Sequence, residues 1–269
     1  MRTIAIINQK GGVAKTTTTI SLAAGLSRKG KKVLVIDLDA QGNVGVALRS
    51  QSVKDVYDFL INTCDYRECL IHLGENLDLM TSKETLTKAE FLLVGEQNRE
   101  LIFRNKLKEI VGYDYILIDC SPSLGLLNQN ALLAANEAII PTSTDILGFK
   151  ALKKIILAID SLNSVFDHDC QITKIVPTMY DKRLKVCKEI LSKITNDYYE
   201  IVADPIHTCS KLKEAPSKGE SIFKYAPNSQ ATKDYTRLVQ SVIRDEQKYN
   251  VIIEQASVQK GTQKASVKA

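Results

Sequence analysis

The chain has 269 residues, 44% hydrophobic and 25% charged, an ordinary soluble balance with ample apolar material for a core. No apolar run approaches the roughly 20 residues that cross a bilayer, and the start lacks a charged-then-apolar signal segment. The six cysteines (Cys64, Cys69, Cys120, Cys170, Cys187, Cys209) include no C-x-x-C pair, which argues against a disulfide framework or a metal cluster and fits a reducing cytosol.

The net charge of +5 is unevenly placed. Up to Tyr180 there are 20 basic and 20 acidic residues; from Asp181 onward there are 16 basic and 11 acidic. Such asymmetry suggests a surface for a polyanion, with a merely solvated basic face as the alternative.

In chain order, Thr3–Asn8 (TIAIIN) reads as a short buried strand, followed by a glycine-rich turn and a helical pattern. Lys31–Asp39 (KKVLVIDLD) is a second strand that ends in acids. The polar stretch Gln51–Arg104 predicts helices and an insertion around the site. Tyr113–Ser123 (YDYILIDCSPS) is a third strand, again with an aspartate at its carboxyl end, and Glu137–Ser143 and Cys170–Tyr180 supply two more. Ala151–Phe166 and Arg183–Ile194 show helical periodicity. Continuous apolar strands alternating with helices predict one α/β domain, with a mostly parallel twisted sheet covered by helices on both faces. The domain is expected over residues 1–249. Residues 250–269, rich in Lys, Gln and Ser, are expected to form a flexible tail.

The turn Asn8–Thr19 (NQKGGVAKTTTT) joins a strand to a helix, the context in which backbone N–H groups and a helix N-terminus hold phosphate. Lys15 would pair with the β- and γ-phosphates, the Thr16 hydroxyl would ligate Mg²⁺, and Thr17 would add a phosphate contact. The match is to a variant. Gln9 stands where a phosphate loop carries its first glycine, and Ala14 where it carries the glycine before the lysine. A tight glycine turn with an exposed Lys10 is the plain alternative. If position 14 needs a positive φ, alanine costs on the order of 1 kcal/mol there, so Ala14 reads as a tolerated variant bearing on turnover rate. Asp37 and Asp39 end the second strand; Asp37 is expected to support the Mg²⁺ shell, and a pair of solvated strand-end aspartates is the alternative. Asp119 follows four apolar residues and is expected to hold Mg²⁺ through water. Cys120 reads as an inert buried thiol.

The K-G-G-x-x-K-T-T pattern, with a lysine ahead of the glycines, resembles the deviant Walker A motif of the ParA/MinD family of ATPases. DLDAQGN resembles that family's D-x-D-P-Q segment, with Ala40 in place of proline, and ILIDCSPS a Walker B strand leading into a switch segment. IIPTSTD, TMYDKR and KLKEAPSKGESIFKYAPNSQATKDY follow in family order, the last similar to a segment of partitioning ParA proteins. The resemblance implies a single-domain P-loop NTPase using ATP and Mg²⁺, with a nucleotide-binding set of Lys10, Gly11, Gly12, Val13, Ala14, Lys15, Thr16 and Thr17. Lys10 would reach across an ATP-sandwich homodimer to the partner's phosphates, and Asp39 would position the attacking water. Lys10, Lys15 and Asp39 form the expected catalytic set.

Arg183, Lys211 and Lys213 stand where the partitioning branch contacts non-specific double-stranded DNA, with Lys182, Lys185 and Lys218 nearby. The resemblance also implies a ParB-like centromere-binding partner that stimulates hydrolysis, and a cytoplasmic, nucleoid-associated protein. The C-terminal sequence lacks the bulky apolar residues of a membrane-binding helix, so no membrane partner is expected. Cluster-ligating cysteines of a nitrogenase-reductase type have no counterpart, and an N-terminal helix-turn-helix has no room before Thr3. DPIHTCS departs from the family's Pro-Arg-Asn segment, so residues contacting the base are not carried over. Two rivals stay open: a weakly or non-hydrolysing nucleotide-switch scaffold, in which Ala14 and Ala40 mark lost catalysis, and a small-molecule kinase or synthetase on the same fold.

Overall fold

A computed structural model of the protein describes residues 1–246. Seven strands form one sheet in the order β3-β4-β2-β5-β1-β6-β7. They are β1 (Arg2–Ile6), β2 (Val33–Leu38), β3 (Leu70–Gly74), β4 (Leu77–Met80), β5 (Tyr115–Cys120), β6 (Glu137–Ser143) and β7 (Gln171–Thr178). Every neighbouring pair is parallel except β3 with β4, an antiparallel hairpin at one edge. The five expected strands are present: Glu137–Ser143 as expected, the first beginning one residue earlier and ending sooner, and the others shorter at their ends. The Gln51–Arg104 stretch contains the helices Val56–Leu60 and Leu86–Val94, and also the β3–β4 hairpin, which the sequence reading did not anticipate.

The central strands are buried on both faces, so their apolar runs feed two cores. Ala5 and Ile7 of the first strand region, Leu34, Ile36 and Leu38 of β2, and Ile116 and Ile118 of β5 point into one. Ile4, Ile6, Val33, Val35, Tyr115 and Leu117 point into the other. The alternation is the two-residue period of the pleat. The first core is closed by helices Leu126–Ala134, Ile146–Phe166 and Lys185–Tyr198. The second is closed by α1 (Lys15–Ser27) and by the helix over residues 230–246, which brings Ala231, Tyr235, Leu238, Val239 and Val242. Arg2 locks this arrangement: its guanidinium holds Glu137 at 2.6 Å through two nitrogens and donates to the Val242 carbonyl at 2.6 Å, all buried. The tail expected over 250–269 lies outside the described residues.

From β1 the chain crosses to one side for β2, and it later returns to place β6 and β7 on the other. A crevice therefore opens at the carboxyl ends of the central strands, where open α/β sheets bind ligands. The phosphate loop and the DLDAQGN, ILIDCSPS and IIPTSTD motifs lie there, at the ends of β1, β2, β5 and β6.

Candidate functional site

The turn after β1 is anchored by buried Asn8, which donates to the Pro141 carbonyl at 2.8 Å and accepts from the Lys10 N–H at 2.9 Å. Gly12 (φ 71°) and Ala14 (φ 68°) both adopt the left-handed conformation. This curls the chain back on itself before α1, the kind of loop whose N–H groups form an anion nest. Ala14 is the N-cap of the 13-residue α1, yet no side chain caps that helix and no acid lies in its first turn. Its first N–H groups are left for an external acceptor, and the helix dipole favours a negative one. Thr178 donates to the Val13 carbonyl at 3.1 Å and Thr18 bonds the Tyr235 hydroxyl at 3.2 Å, so the loop is braced from β7 and from the last helix.

Lys15 opens α1 and is 8% exposed, its Nζ 3.5 Å from the Lys10 carbonyl. Burial lowers its pKa and neighbouring Asp119 pulls it back. A poorly solvated ammonium beside free N–H groups is primed for a polyanion. Thr16 donates to Asp119 Oδ2 at 2.7 Å and Thr19 to Oδ1 at 2.8 Å. Burial pushes the Asp119 carboxyl up to about 6, against the two hydroxyl bonds and Lys15. A hydroxyl touching a carboxylate gives oxygen-only donors suited to Mg²⁺, which takes one or two protein ligands and completes its shell with phosphate and water. Beside Thr16 and Thr17 runs a small cleft also lined by Leu212, Pro216 and Ile222.

Asp37 pairs with Asp119 in the β2–β5 ladder and is fully buried. Burial, and then the Asp119 charge, raises its pKa well above the carboxylate range. Both its oxygens accept backbone N–H groups, of Asp39 and Val44, each at 3.0 Å. Asp37 thus fixes the loop that carries Asp39, and its oxygens do not face the loop around Lys15 unpaired. Gly42 (φ 60°) lets that loop turn against Ser82, whose carbonyl would lie 2.7 Å from any Cβ at position 42. Asp39 is 9% exposed. Its Oδ1 accepts from Gln41 N–H at 3.0 Å, its carbonyl accepts from the Ser82 hydroxyl, and Oδ2 has no partner among the described residues.

Lys10 reaches back within its own chain. Its ammonium lies 2.7 and 2.8 Å from the two Asp145 oxygens and donates to Ser143 at 2.9 Å. Asp145 also caps the Ile146–Phe166 helix by accepting from Gly148 N–H at 2.8 Å. Burial opposes ionisation of Asp145, yet the bonds from Lys10 and Gly148 leave its carboxyl below the usual carboxylate range. The segment after Asp119 is held by Asn128, which donates to the Ser121 carbonyl at 2.8 Å and to the Ser123 carbonyl. Cys120 is buried, and burial raises its thiol far above the ordinary value.

Arg183 lies in a turn where Asp181 accepts its N–H at 2.9 Å and its guanidinium at 2.6 Å. The 177–180 segment bonds to 206–208 through Ile206 N–H to Pro177, Tyr180 N–H to Ile206 and Thr208 N–H to Tyr180, so the Arg183 turn and the Ser210–Glu214 helix are neighbours. On that helix Lys211 pairs with Glu214 at 2.8 Å. Lys213 is exposed and has no ion pair among the described residues. The sequence reading missed Asp145, Thr19, Ser82 and Asn128; for Asp145 the signal was the IIPTSTD segment, whose position beside Lys10 only the β1–β6 pairing supplies.

A family profile described as an AAA domain matches residues 1–172. The chain is 36% identical to the chromosome-partitioning ATPase Soj of Treponema pallidum, over 92% of this chain and 99% of that protein. It is 34% identical to the chromosome partitioning protein ParA of Myxococcus xanthus, over 90% and 88%. Among solved structures, cobyrinic acid a,c-diamide synthase from Mycobacterium smegmatis with bound ADP and magnesium superposes with a TM-score of 0.79 at 28% identity, covering 92% of this chain and 96% of that one. With a phosphate loop preceded by Lys10 and two strand-end aspartate motifs on one sheet, and with kinship of this extent, the chain belongs to the ParA/MinD family of P-loop ATPases.

Proposed function

We propose that the protein is an ATP-dependent DNA-partitioning ATPase. The observation that carries this reading is the uncapped start of α1 beside buried Lys15 and the Thr16–Asp119 pair. The loop N–H groups from Gly11 to Thr17, with Lys15, bind the β- and γ-phosphates of ATP. Thr16 and Asp119 would hold Mg²⁺, which would supply charge neutralisation at the phosphates, while Asp37 acts one step back by fixing the Asp39 loop. The free Oδ2 of Asp39 orients the attacking water, a task of positioning more than of basicity. Two ATP-bound copies close face to face, each Lys10 leaving its own Asp145 for the partner's phosphates. The closed dimer binds DNA without sequence preference through Arg183, Lys211 and Lys213, and a ParB-like protein stimulates hydrolysis and release.

Relatives named as chromosome-partitioning proteins support this cargo. The decisive variant is Asp39→Ala. It should retain ATP and stay dimeric on DNA while phosphate release disappears. Hydrolysis at the parental rate would remove Asp39 from its assigned role. Phosphate release by the parent protein with DNA and partner present separates this reading from a non-hydrolysing scaffold. The similarity to a protein named as a diamide synthase gives an amide-forming ATPase as the second reading; DNA-stimulated turnover with no added small molecule would decide against it.

A further inference from the structure

Two of the six cysteines, five positions apart, meet in space away from the nucleotide site. Asp65 caps the short helical turn Tyr66–Cys69, accepting from Arg67 N–H, while Glu68 accepts from the Asp65 N–H at 3.0 Å. This reciprocal cap fixes the turn and brings Cys64 Sγ to 3.3 Å from Cys69 Sγ. It is the one thiol–thiol contact among the described residues. Cys64 is half-buried at the surface; Cys69 is fully buried against Phe59 and Tyr66, and its thiol lies 3.3 Å from the Asp55 carbonyl. A disulfide needs about 2.05 Å between sulfurs, so the pair must close by about 1.3 Å, within the reach of a side-chain rotation on an exposed turn.

We propose that Cys64 and Cys69 are a redox modification site that closes to an intramolecular disulfide with a small-molecule disulfide such as glutathione disulfide. Exposure sets the order of events. The Cys64 thiolate attacks one sulfur of glutathione disulfide, forming a mixed disulfide and expelling one glutathione thiolate, which takes up the proton Cys64 lost. Cys69 then loses its proton and attacks Cys64 Sγ, forming the internal bond and expelling the second glutathione. Two cysteine thiols are oxidised and one glutathione disulfide is reduced to two glutathiones. Burial holds the Cys69 thiol above its ordinary value, so the second step is the slow one and accelerates as pH rises.

The location gives the link a consequence. Asp55 caps the Val56–Leu60 helix, Val56 N–H donates to the Thr81 carbonyl at 2.9 Å, and the next residue, Ser82, supports the Asp39 carbonyl. Oxidation removes the Cys69 S–H that faces Asp55, at the base of the Asp39 loop.

The test equilibrates the full-length protein with glutathione disulfide and glutathione, then counts thiols after alkylation under denaturing conditions. The expected result is a fall from six free thiols to four, reversed by dithiothreitol, with no glutathione retained. Trypsin cleaves after Arg67, so the product is two peptides joined through Cys64 and Cys69. Cys64→Ser, at the half-exposed position, should leave Cys69 reduced and give no internal link. Six persistent thiols, a stable glutathione adduct on Cys64, or links through other cysteines would each overturn the proposal.

Discussion

Ala14 occupies φ 68°, ψ 34°, the left-handed region that an L-residue enters at a cost of roughly 1–2 kcal/mol. Glycine would remove that cost but would also free the unfolded chain by about 0.4–1 kcal/mol. The net gain for Ala14→Gly is therefore about 0.5 kcal/mol, a rise in Tm of about 1–2 °C for a domain this size. Because alanine already holds the loop in the conformation glycine would adopt, ATP turnover should stay within about twofold, a barrier change near 0.4 kcal/mol. A fall in Tm, or a tenfold rise in turnover, would show that the methyl group rather than the backbone matters. The grouping of Lys15, Thr16 and Asp119 at one loop was legible because a loop between strand and helix fixes its own spacing. Thr19 was not legible. Its bond to Asp119 depends on one helical turn past Lys15 facing β5, and a run of four threonines does not say which of them faces inward.

At the scale of elements, the Lys10–Asp145 pair joins the phosphate loop to the start of a 21-residue helix. The two residues are 135 positions apart and adjacent only because β1 and β6 pair. Periodicity carries no such information, which is why Asp145 went unassigned while Lys10 did not. The β3–β4 hairpin escaped for a different reason. Leu70–Gly74 (LIHLG) is a half-covered edge strand whose apolar residues do not alternate cleanly, set in a polar stretch that predicted helices. If Lys10 must leave Asp145 for two subunits to close, the ion pair opposes dimerisation. Its carboxylate is 45% exposed, so each pair is worth at most about 1 kcal/mol after solvent screening. Asp145→Asn keeps an oxygen to cap Gly148 and removes the charge that holds Lys10. Sedimentation with a non-hydrolysable ATP analogue should show dimers at roughly tenfold lower protein concentration, the product of two released pairs. Weaker dimerisation would mean that Asp145 serves the closed state instead.

For the whole molecule, only part of the charge imbalance seen in the sequence acquires a placement: residues 181–246 carry 12 basic and 10 acidic residues, and the rest of the surplus lies outside the described residues. The bonds between 177–180 and 206–208 hold together the two segments that lead into the Arg183 turn and the Ser210–Glu214 helix, which carry the three basic residues. Sequence could name them but could not join them, since the joining bonds belong to β7 and to a loop with no regular pattern. Two of the three are partly neutralised within the chain, Arg183 by Asp181 and Lys211 by Glu214. Exposed pairs of this kind exchange readily with water and with other anions, so they orient the side chains without cancelling them. Binding by phosphate contact alone predicts a steep salt response. Six contacts in a dimer give a slope of log K against log salt near −5, from about −0.9 per neutralised phosphate. Arg183→Glu removes one contact per subunit and adds repulsion, so the slope should shrink to about −3.5 or less and retention on DNA at moderate salt should be lost, while ATP-driven dimerisation is kept. Retention equal to the parent protein at that salt would place the DNA surface elsewhere. Loss of both DNA and dimer would mean instead that the Arg183 turn belongs to the subunit interface.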